Sequence, residues 1–176
     1  MPSIAYATTV DTPDGPFRII ATDQAVIASG WTEDSDLLLE HVSDKLLPSA
    51  LAESTNRVLR QAIRAVRAYY DGNPAPLAKV PVLQRSGAFR EAAWEALRAV
   101  KPGETVSYGE LAARAGNPRA ARAAAGACSH NSVSLFVPCH RVIASGGKIG
   151  GYGSRLPLKR SLLNREAPHS GWSLVD

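Results

Sequence analysis

The stretch SYGELAARAGNPRAARAAAGACSHN, residues 107–131, carries the end signals of two consecutive helices. Ser107 with Glu110 three residues later forms a capping-box pattern, which predicts a helix start, and Gly116 suits the C-terminal cap of that helix. Asn117 is a natural N-cap for a second helix, because a proline follows it at the first helical position. Two short helices joined by a tight Gly-Asn turn resemble a helix-turn-helix, so we predict that motif here.

The second predicted helix has almost no bulky side chains. Its only charged residues are Arg119 and Arg122, and six of the other twelve residues of 118–131 are alanine. A helix this smooth can pack closely in a core, or it can approach a DNA groove. Helix-turn-helix shapes recur in proteins that bind no DNA, so the segment alone favours core packing.

The charge around this stretch shifts the balance toward a polyanionic partner. The chain has 176 residues and a formal net charge of +4. Residues 1–100 hold 10 Lys and Arg against 12 Asp and Glu, whereas residues 101–176 hold 10 against 4. The net charges are therefore −2 and +6, and a basic C-terminal half is consistent with nucleic-acid binding or with a merely solvated basic surface.

The N-terminal half predicts a small α/β arrangement. Residues 4–31 indicate a strand meander, because a Pro-Asp-Gly turn, the β-rich run Phe17–Ala21 and a polar turn precede a second run ending at Trp31. Residues 54–71 predict an amphipathic helix from their apolar positions at helical spacing. Residues 72–87 are rich in proline and glycine and predict a linker.

A second stripe on the predicted helix is basic. It is formed by four arginines, called here the arginine stripe: Arg57, Arg60, Arg64 and Arg67. Acidic residues dominate the surrounding half of the chain, so we expect the arginine stripe to be a solvated face.

Composition excludes several classes of protein. No apolar run reaches membrane-spanning length, and the N-terminus lacks the basic start and apolar core of a secretory signal. Two cysteines cannot form a disulfide framework. We therefore expect a reduced, cytoplasmic protein with no membrane partner.

One of the two cysteines stands in the sequence Pro-Cys-His-Arg, residues 138–141. A thiol becomes a good nucleophile as a thiolate, and His140 is a candidate base for Cys139. Neighbours on an extended chain point to opposite sides, so a water molecule could bridge the two side chains. Cys139 could instead be a small buried residue, it could bind zinc together with Cys128 and two histidines, or it could pair with Cys128. The spacing lacks the paired cysteines of common zinc sites.

Three segments together resemble the O6-alkylguanine-DNA alkyltransferase family: NPRAARAAAGACSHN, VPCHRVIASGGKIGGYG and KRSLLNREA. The resemblance covers residues 89–167 almost continuously, and the N-terminal half resembles the family only loosely. It implies a mixed α+β protein, with an N-terminal ribonuclease-H-like α/β domain over residues 1–80. A mainly helical catalytic and DNA-binding domain with a helix-turn-helix is implied over residues 86–170.

The resemblance also implies an activity. Members of the family flip O6-alkylguanine out of double-stranded DNA, since the alkyl group is inaccessible inside a stacked duplex. They transfer the alkyl group to their own cysteine as single-turnover methyltransferases. The implied partner is duplex DNA that carries O6-alkylguanine, with O4-alkylthymine as a further lesion. No cofactor and no metal are implied, and a monomer that can assemble cooperatively on DNA is expected.

The roles of single residues follow from the same resemblance. Cys139 matches the alkyl acceptor, His140 the residue that takes the thiol proton through water, and Glu166 the carboxylate that orients the histidine. Tyr108 matches the residue that assists flipping and donates a hydrogen bond to guanine N3. Asn131 matches the asparagine that ties the second helix of the helix-turn-helix, the recognition helix, to the loop that carries Cys139. The implied DNA-binding surface is Arg122, which fills the space of the flipped base, with Arg119, Ala121, Ala123, Ala124 and Gly126. The implied substrate pocket is Val142, Tyr152, Gly153 and Lys159.

This chain departs from the family pattern at a few points. Gly153 stands where some relatives carry serine. His41 is the only histidine before residue 128, and no cysteine precedes that residue, so the structural zinc site of some relatives is not expected. Two other functions stay open, a lesion sensor that binds without transfer and a DNA-binding regulator with a redox-sensing thiol. Sensors replace the acceptor cysteine, and the regulator gives Glu166 and Tyr108 no role, so repair by alkyl transfer is favoured.

Overall fold

The computed structural model describes residues 3–152 and 155–167, which divide into two units. The described residues of the first unit fall within Met1–Arg85 and Ser132–Phe136. Those of the second unit fall within Ser86–Asn131 and Val137–Asp176. The last three residues of the predicted second domain, 168–170, lie outside the described residues. Together the units form a mixed α+β fold.

The first unit is built on a four-stranded sheet. Strands β1 (Ile4–Thr12), β2 (Gly15–Ala21) and β3 (Val26–Gly30) form an antiparallel meander, which confirms the prediction for residues 4–31. Helix α1 (Ser35–Leu39) leads to strand β4 (Ala50–Glu53), which pairs parallel to β1, so that the strand order is β3-β2-β1-β4. The sequence pattern did not predict α1 or β4, because both are short and carry little periodic signal.

Helix α2 (Arg57–Tyr70) confirms the helix predicted from the apolar stripe. The Asn56 side chain accepts a hydrogen bond from the Leu59 backbone N–H at 2.8 Å and so caps the first turn. The buried residues of α2 all lie on the face that packs on β1 and β2: Val58, Leu59, Ala62, Ala65, Val66 and Tyr69. Burying an apolar stripe of this kind is what stabilises a helix of this length.

The predicted linker is only partly irregular. A 3-10 helix occupies Ala75–Lys79, with Leu77 and Val80 buried, and Val82 forms a parallel bridge with Val26 of β3. The proline and glycine content therefore marks tight turns rather than a free connection. Residues 81–85 belong to the first unit.

Residues 132–136 also belong to the first unit, although they follow the predicted recognition helix in sequence. The Ser29 backbone N–H donates to the Ser132 carbonyl at 2.9 Å, and the Ser134 N–H donates to the Ser29 carbonyl at 3.2 Å. The Ser29 hydroxyl donates to the Ser134 carbonyl at 2.8 Å. These bonds occupy the backbone groups of Ser29 at the edge of β3.

The second unit is mainly helical. Its helices are α3 (Ala88–Arg98), α4 (Tyr108–Arg114), α5 (Ala121–Ser129) and α6 (Leu156–Glu166). Two short strands, β5 (Val106–Ser107) and β6 (Val142–Ile143), pair in parallel, and 3-10 helices occupy Cys139–Arg141 and Ser145–Gly147. Helix α5 packs against α3 and α4. No helix of the described ranges is both long and apolar enough to cross a membrane.

The predicted helix pair is present, but its second helix starts later than the pattern indicates. Ser107 caps α4 by accepting from the Glu110 N–H at 3.1 Å, as predicted, and Gly116 follows the helix with a φ of 104°. The Asn117 side chain accepts from the Arg119 N–H at 3.1 Å, which closes a local turn instead of capping a helix. The second helix therefore begins at Ala121, and Arg119 lies in the turn.

Candidate active site

Cys139 is held at the start of a 3-10 helix and is 8% exposed. The Asn131 side-chain amide donates to the Cys139 Sγ at 3.3 Å and to the Val137 carbonyl at 2.9 Å. The Tyr152 hydroxyl lies 4.0 Å from the same sulfur. One amide group of Asn131, just after α5, therefore holds both the loop and the thiol.

The thiol of Cys139 is neutral at rest. Burial raises its pKa, while the hydrogen bonds with Asn131 and Tyr152 and the positive charge of Lys159 oppose that rise, and the net pKa lies above the ordinary value. A buried neutral thiol is a weak nucleophile. Reaction at Cys139 therefore requires a base that removes its proton.

The candidate base is His140, which is fully buried. Its Nε2 lies 2.6 Å from the Glu166 Oε2. Burial of Glu166 raises the pKa of its carboxyl, but the His140 and Arg141 contacts outweigh burial and bring that pKa to about 2. An ionised carboxylate only accepts hydrogen bonds, so the His140 Nε2 carries the proton and the lone pair is on Nδ1.

That lone pair is available for proton transfer. The His140 Nδ1 is buried, and no side chain or backbone group of the described residues hydrogen-bonds it. Burial lowers the pKa of His140 and is opposed by the charge of Glu166, so the imidazole is neutral at neutral pH. A neutral ring with a free Nδ1 can take up a proton.

Arg141 also holds the carboxylate, a contact that the sequence analysis missed. Its Nε donates to the Glu166 Oε1 at 2.7 Å, and its Nη1 donates to the Val100 carbonyl at 2.7 Å. Arg141 is 5% exposed and the Glu166 side chain 1%. The two oxygens of Glu166 are thus divided between a permanent cation and the imidazole.

Helix α6 supplies both Glu166 and Lys159. These residues are seven positions apart, so they lie on one face of the helix. Lys159 is fully buried, and its Nζ donates to the Val142 carbonyl at 2.6 Å and to the Gly151 carbonyl at 3.2 Å. Burial lowers the pKa of Lys159 to about 8, and the two cysteines counteract that shift. The ammonium group therefore carries a charge at neutral pH in a dry setting.

The other predicted pocket residues lie on the same loop system. Val142 is buried and directly follows the 3-10 helix, and its backbone N–H donates to the Cys139 carbonyl. The Lys159 Nζ donates to the Val142 carbonyl, and every carbonyl oxygen has two lone pairs for hydrogen bonds. Tyr152 is half-buried. Gly153 lies outside the described residues.

The predicted DNA-binding surface divides into an exposed and a buried part. Arg119, Arg122 and Ala123 are exposed, and Ala121 and Gly126 are half-buried. Ala124 is fully buried on the inner face of α5, so its assignment to the DNA-binding surface is wrong. On that inner face the Trp94 Nε1 donates to the Ala127 carbonyl at 2.9 Å, which requires small side chains for close packing.

Tyr108 is the first residue of α4 and is half-buried. Burial raises the pKa of its phenol, and charge on Cys128 or Cys139 would raise it further. Tyr108 therefore stays protonated and able to donate.

The alternative roles of the cysteines find no support in the described residues. Cys128 and Cys139 are both free thiols. The His130 Nδ1 lies 2.9 Å from the Gly126 carbonyl at the end of α5. No three His, Cys, Asp or Glu side chains within residues 3–152 and 155–167 are grouped so as to hold a metal ion.

Comparison with known proteins relates this arrangement to a family. The family model described as "6-O-methylguanine DNA methyltransferase, DNA binding domain" matches residues 88–168. A methylated-DNA–protein-cysteine methyltransferase of Mycolicibacterium paratuberculosis is 35% identical over 168 residues, covering 95% of this chain and 95% of that protein. The chain belongs to the methylated-DNA–protein-cysteine methyltransferase family.

Solved structures and longer relatives agree with the family assignment. The crystal structure of Mycobacterium tuberculosis OGT in complex with DNA is 31% identical, has a TM-score of 0.70 and covers 92% of each chain. The bifunctional transcriptional activator/DNA repair enzyme Ada of Escherichia coli is 35% identical over 149 residues, and the match spans 85% of this chain but 42% of Ada.

The sequence contains a signal for the role of Arg141 beside Glu166. This residue stands in the quoted Pro-Cys-His-Arg motif. A buried arginine next to a histidine needs a carboxylate, and Glu166 was already assigned to that histidine. The Val100 carbonyl had no such signal, because a backbone acceptor is invisible in sequence.

Proposed function

We propose that this protein repairs DNA directly by transferring the alkyl group of O6-alkylguanine to its own Cys139. The observation that carries the proposal is a set of two hydrogen-bonded pairs, Asn131 with Cys139 and His140 with Glu166, which meet at the adjacent residues 139 and 140 inside the segment that matches the family. A thiol, a neutral imidazole and an ionised carboxylate are the components of nucleophilic catalysis with a soft nucleophile.

The first step is removal of the thiol proton. His140 has its lone pair on Nδ1, and a water molecule between Nδ1 and the Cys139 sulfur would carry the proton across. The ionised Glu166 stabilises the imidazolium that results, and the ammonium group of Lys159 stabilises the thiolate. The charge separation is thus spread over a buried network instead of over bulk water.

The second step forms the bond from sulfur to the alkyl carbon while the bond from that carbon to guanine O6 breaks. The electron pair of the broken bond passes to the guanine ring, which takes a proton at N3 from the Tyr108 hydroxyl. The Tyr108 phenolate regains a proton through water from the His140 imidazolium, so that the base, Tyr108 and His140 all end neutral. The Cys139 and Val142 carbonyls accept from the guanine amino group through their second lone pairs. Tyr152 lines the pocket, and Lys159 fixes its floor by holding two loop carbonyls.

The product is a thioether, which offers water no easily displaced leaving group. Each molecule therefore repairs one lesion and is consumed. Within this proposal the protein is a methylated-DNA–protein-cysteine methyltransferase with a single turnover, and it requires neither a metal nor a cofactor.

DNA contacts come from the pair α4 and α5, which we propose to act as a helix-turn-helix. Arg122 and Ala123 are exposed on α5 and Arg119 on the turn before it. Arg122 enters the space of the flipped base, and Tyr108 presses on the adjacent phosphate. The small residues Ala121, Ala123 and Gly126 allow close approach to the groove.

We also propose that the first unit is ribonuclease-H-like, which its strand order β3-β2-β1-β4 with a parallel β1·β4 pair supports. The protein acts as a monomer that can assemble cooperatively on DNA, and O4-alkylthymine is a second substrate.

The test follows the lesion on the DNA side. The protein is mixed in rising amounts with a duplex that contains one O6-methylguanine, and the remaining lesion is quantified. We expect one lesion lost per protein molecule, no further loss with time, and no loss with Cys139→Ser. The matched control is Cys128→Ser, which should retain full stoichiometry. Turnover beyond one lesion, or repair by Cys139→Ser, would refute the proposal.

A further inference from the structure

Helix α2 presents a basic face that the repair mechanism does not use. All four members of the arginine stripe, defined above, are exposed. At 100° per residue they occupy an arc of about 80°, and this arc is centred opposite the buried face of α2. The arginine stripe is therefore a continuous line of guanidinium groups on the outer surface of the first unit.

The arginine stripe forms no ion pair within the described part of the chain. The sequence of α2, RVLRQAIRAVRAYY, contains no aspartate or glutamate. Within the described residues, no carboxylate lies within salt-bridge distance of any of the four arginines, and the Arg60 Nη1 contacts only the Thr55 hydroxyl, at 3.4 Å. The exposure of all four arginines agrees with the solvated face that the sequence predicts, but no carboxylate of the described residues forms an ion pair with them.

The four arginines of the arginine stripe lower the stability of helix α2. Neighbouring arginines are three or four positions apart, where like charges repel by about 0.2–0.5 kcal/mol per pair. Arg57 occupies the first helical position, where the helix dipole disfavours a cation. A face that violates local preferences at several positions without a structural gain indicates a functional surface.

The chemistry of the arginine stripe fits a line of phosphates. From Arg57 to Arg67 the helix rises about 15 Å, and one DNA strand advances about four phosphates over that length. Guanidinium groups bind phosphate oxygens with two parallel hydrogen bonds. Residues 1–100 carry a net charge of −2 in spite of these four arginines, so the stripe is a local feature and not part of a generally basic surface.

We propose that the arginine stripe of α2 binds the phosphate backbone of duplex DNA, as a contact surface separate from the helix pair of the second unit. DNA is named as the polyanion because the inference rests on the proposed function. The contact is independent of sequence and of the lesion, because phosphates carry no base information.

The test compares two double variants of the full-length protein that each lose two positive charges from the first unit. Arg60→Gln/Arg64→Gln removes half of the arginine stripe, and Lys45→Gln/Lys79→Gln removes two exposed lysines elsewhere. Glutamine is a good helix former, so the stripe variant should fold and even gain slightly in stability. The measurement is the affinity for a long unmodified duplex as a function of salt concentration.

Each lost phosphate contact should reduce the slope of log K against log salt by about 0.9, so the stripe variant should lose about 1.8 and the lysine variant nothing. Transfer to Cys139 from a short single-stranded substrate is measured in parallel and should match the wild type in both variants. Equal slopes for the two variants would overturn the inference. Loss of transfer in the wild type would instead refute the proposed function, so the two failures are distinguishable.

Discussion

The two units differ in the polar groups that they bury. Among the described residues the first unit buries Arg18, Ser29 and Ser132. The second unit buries Asn131, His140, Arg141, Lys159 and Arg160, and the side chain of Glu166 is 1% exposed. The second unit thus holds several ionisable groups in a dry interior, whereas the first unit holds one.

The single buried charge of the first unit is also less isolated from solvent. Arg18 donates to the Thr9 hydroxyl at 3.0 Å and to the Ser35 hydroxyl at 2.6 Å, and its ionic partner Glu53 has a side chain that is 69% exposed. In the second unit both partners of each ion pair with Glu166 are buried. Burying an ion costs several kcal/mol, so the second unit maintains its charged site at a cost in stability.

The largest effect is expected from neutralising the buried carboxylate. Glu166→Gln leaves the size of the side chain unchanged but removes the charge that stabilises a protonated His140. We expect the single-turnover rate of alkyl transfer to fall on the order of 10²–10⁴-fold. The matched control is Glu104→Gln, whose side chain is 38% exposed and should leave the rate unchanged. If the Glu166→Gln variant transferred the alkyl group at a rate close to that of the wild type, the buried carboxylate would not assist the reaction.

The same carboxylate should make stability depend on pH. The pKa of Glu166 is about 2 in the folded protein and about 4.3 when unfolded, which corresponds to about 3 kcal/mol. Because the folded pKa is depressed, this stabilisation is complete above about pH 5 and is lost as the pH falls toward 2. The free energy of unfolding in urea, measured from pH 7 to pH 3, should decrease more steeply for the wild type than for Glu166→Gln. Parallel curves would contradict the assignment of this pKa.

A smaller effect is expected at Arg141. Arg141→Lys keeps the charge but cannot reach both the Glu166 Oε1 and the Val100 carbonyl. We expect its transfer rate to be about tenfold lower, since hydrogen bonds to charged groups contribute about 1.5–3 kcal/mol.

Arg141→Met also removes a charge that lowers the pKa of His140. The base then needs a higher pH to be neutral, so the acid limb of the pH–rate profile should move to higher pH in Arg141→Met and stay in place in Arg141→Lys. Identical profiles for the two variants would leave Arg141 with a purely structural role.

The smallest effect is expected in the first unit. The Tyr70 hydroxyl accepts from the Trp31 Nε1 at 3.1 Å and donates to the Asp14 Oδ2 at 2.8 Å. Tyr70→Phe should lower the free energy of unfolding by about 1 kcal/mol, as expected for lost hydrogen bonds, and leave the transfer rate unchanged. Urea unfolding and single-turnover kinetics on the same preparation check both statements. A reduced transfer rate at full folding would show that the polar network of the first unit also serves the chemistry.

The sequence predicts local features of this fold better than remote ones. The meander and α2 follow from turns and periodicity, which depend on neighbouring residues. The attachment of residues 132–136 to Ser29 does not, because the Ser29–Ser134 pair is separated by 105 positions. The start of α5 was misplaced because an asparagine followed by proline is compatible with a helix cap and with a closed turn, and the side chain of Asn117 makes the turn.

The site shows the same division. The resemblance supplied Cys139, His140 and Glu166, and the structure brings His140 and Glu166 into contact and ties Cys139 to Asn131. The resemblance could not show that Ala123 is exposed and Ala124 buried, because alanine has the same side chain on either face of a helix. The two carbonyls that accept from Lys159 could not be predicted either, since every residue has a backbone carbonyl and the sequence does not show which one accepts.

The most direct measurement of the central claim locates the transferred group on the protein. The chain has two cysteines, whose thiols have different surroundings. The Asn131 side chain donates a hydrogen bond to the Cys139 thiol. Cys128 lies on α5, where burial is the largest of the causes that shift its pKa and raises it. After reaction with a duplex that contains O6-methylguanine, the protein is digested and each cysteine peptide is analysed by mass spectrometry. The methyl group should be found on Cys139 in stoichiometric amount and not on Cys128. A methyl group on Cys128, or an even distribution between the two thiols, would contradict the account.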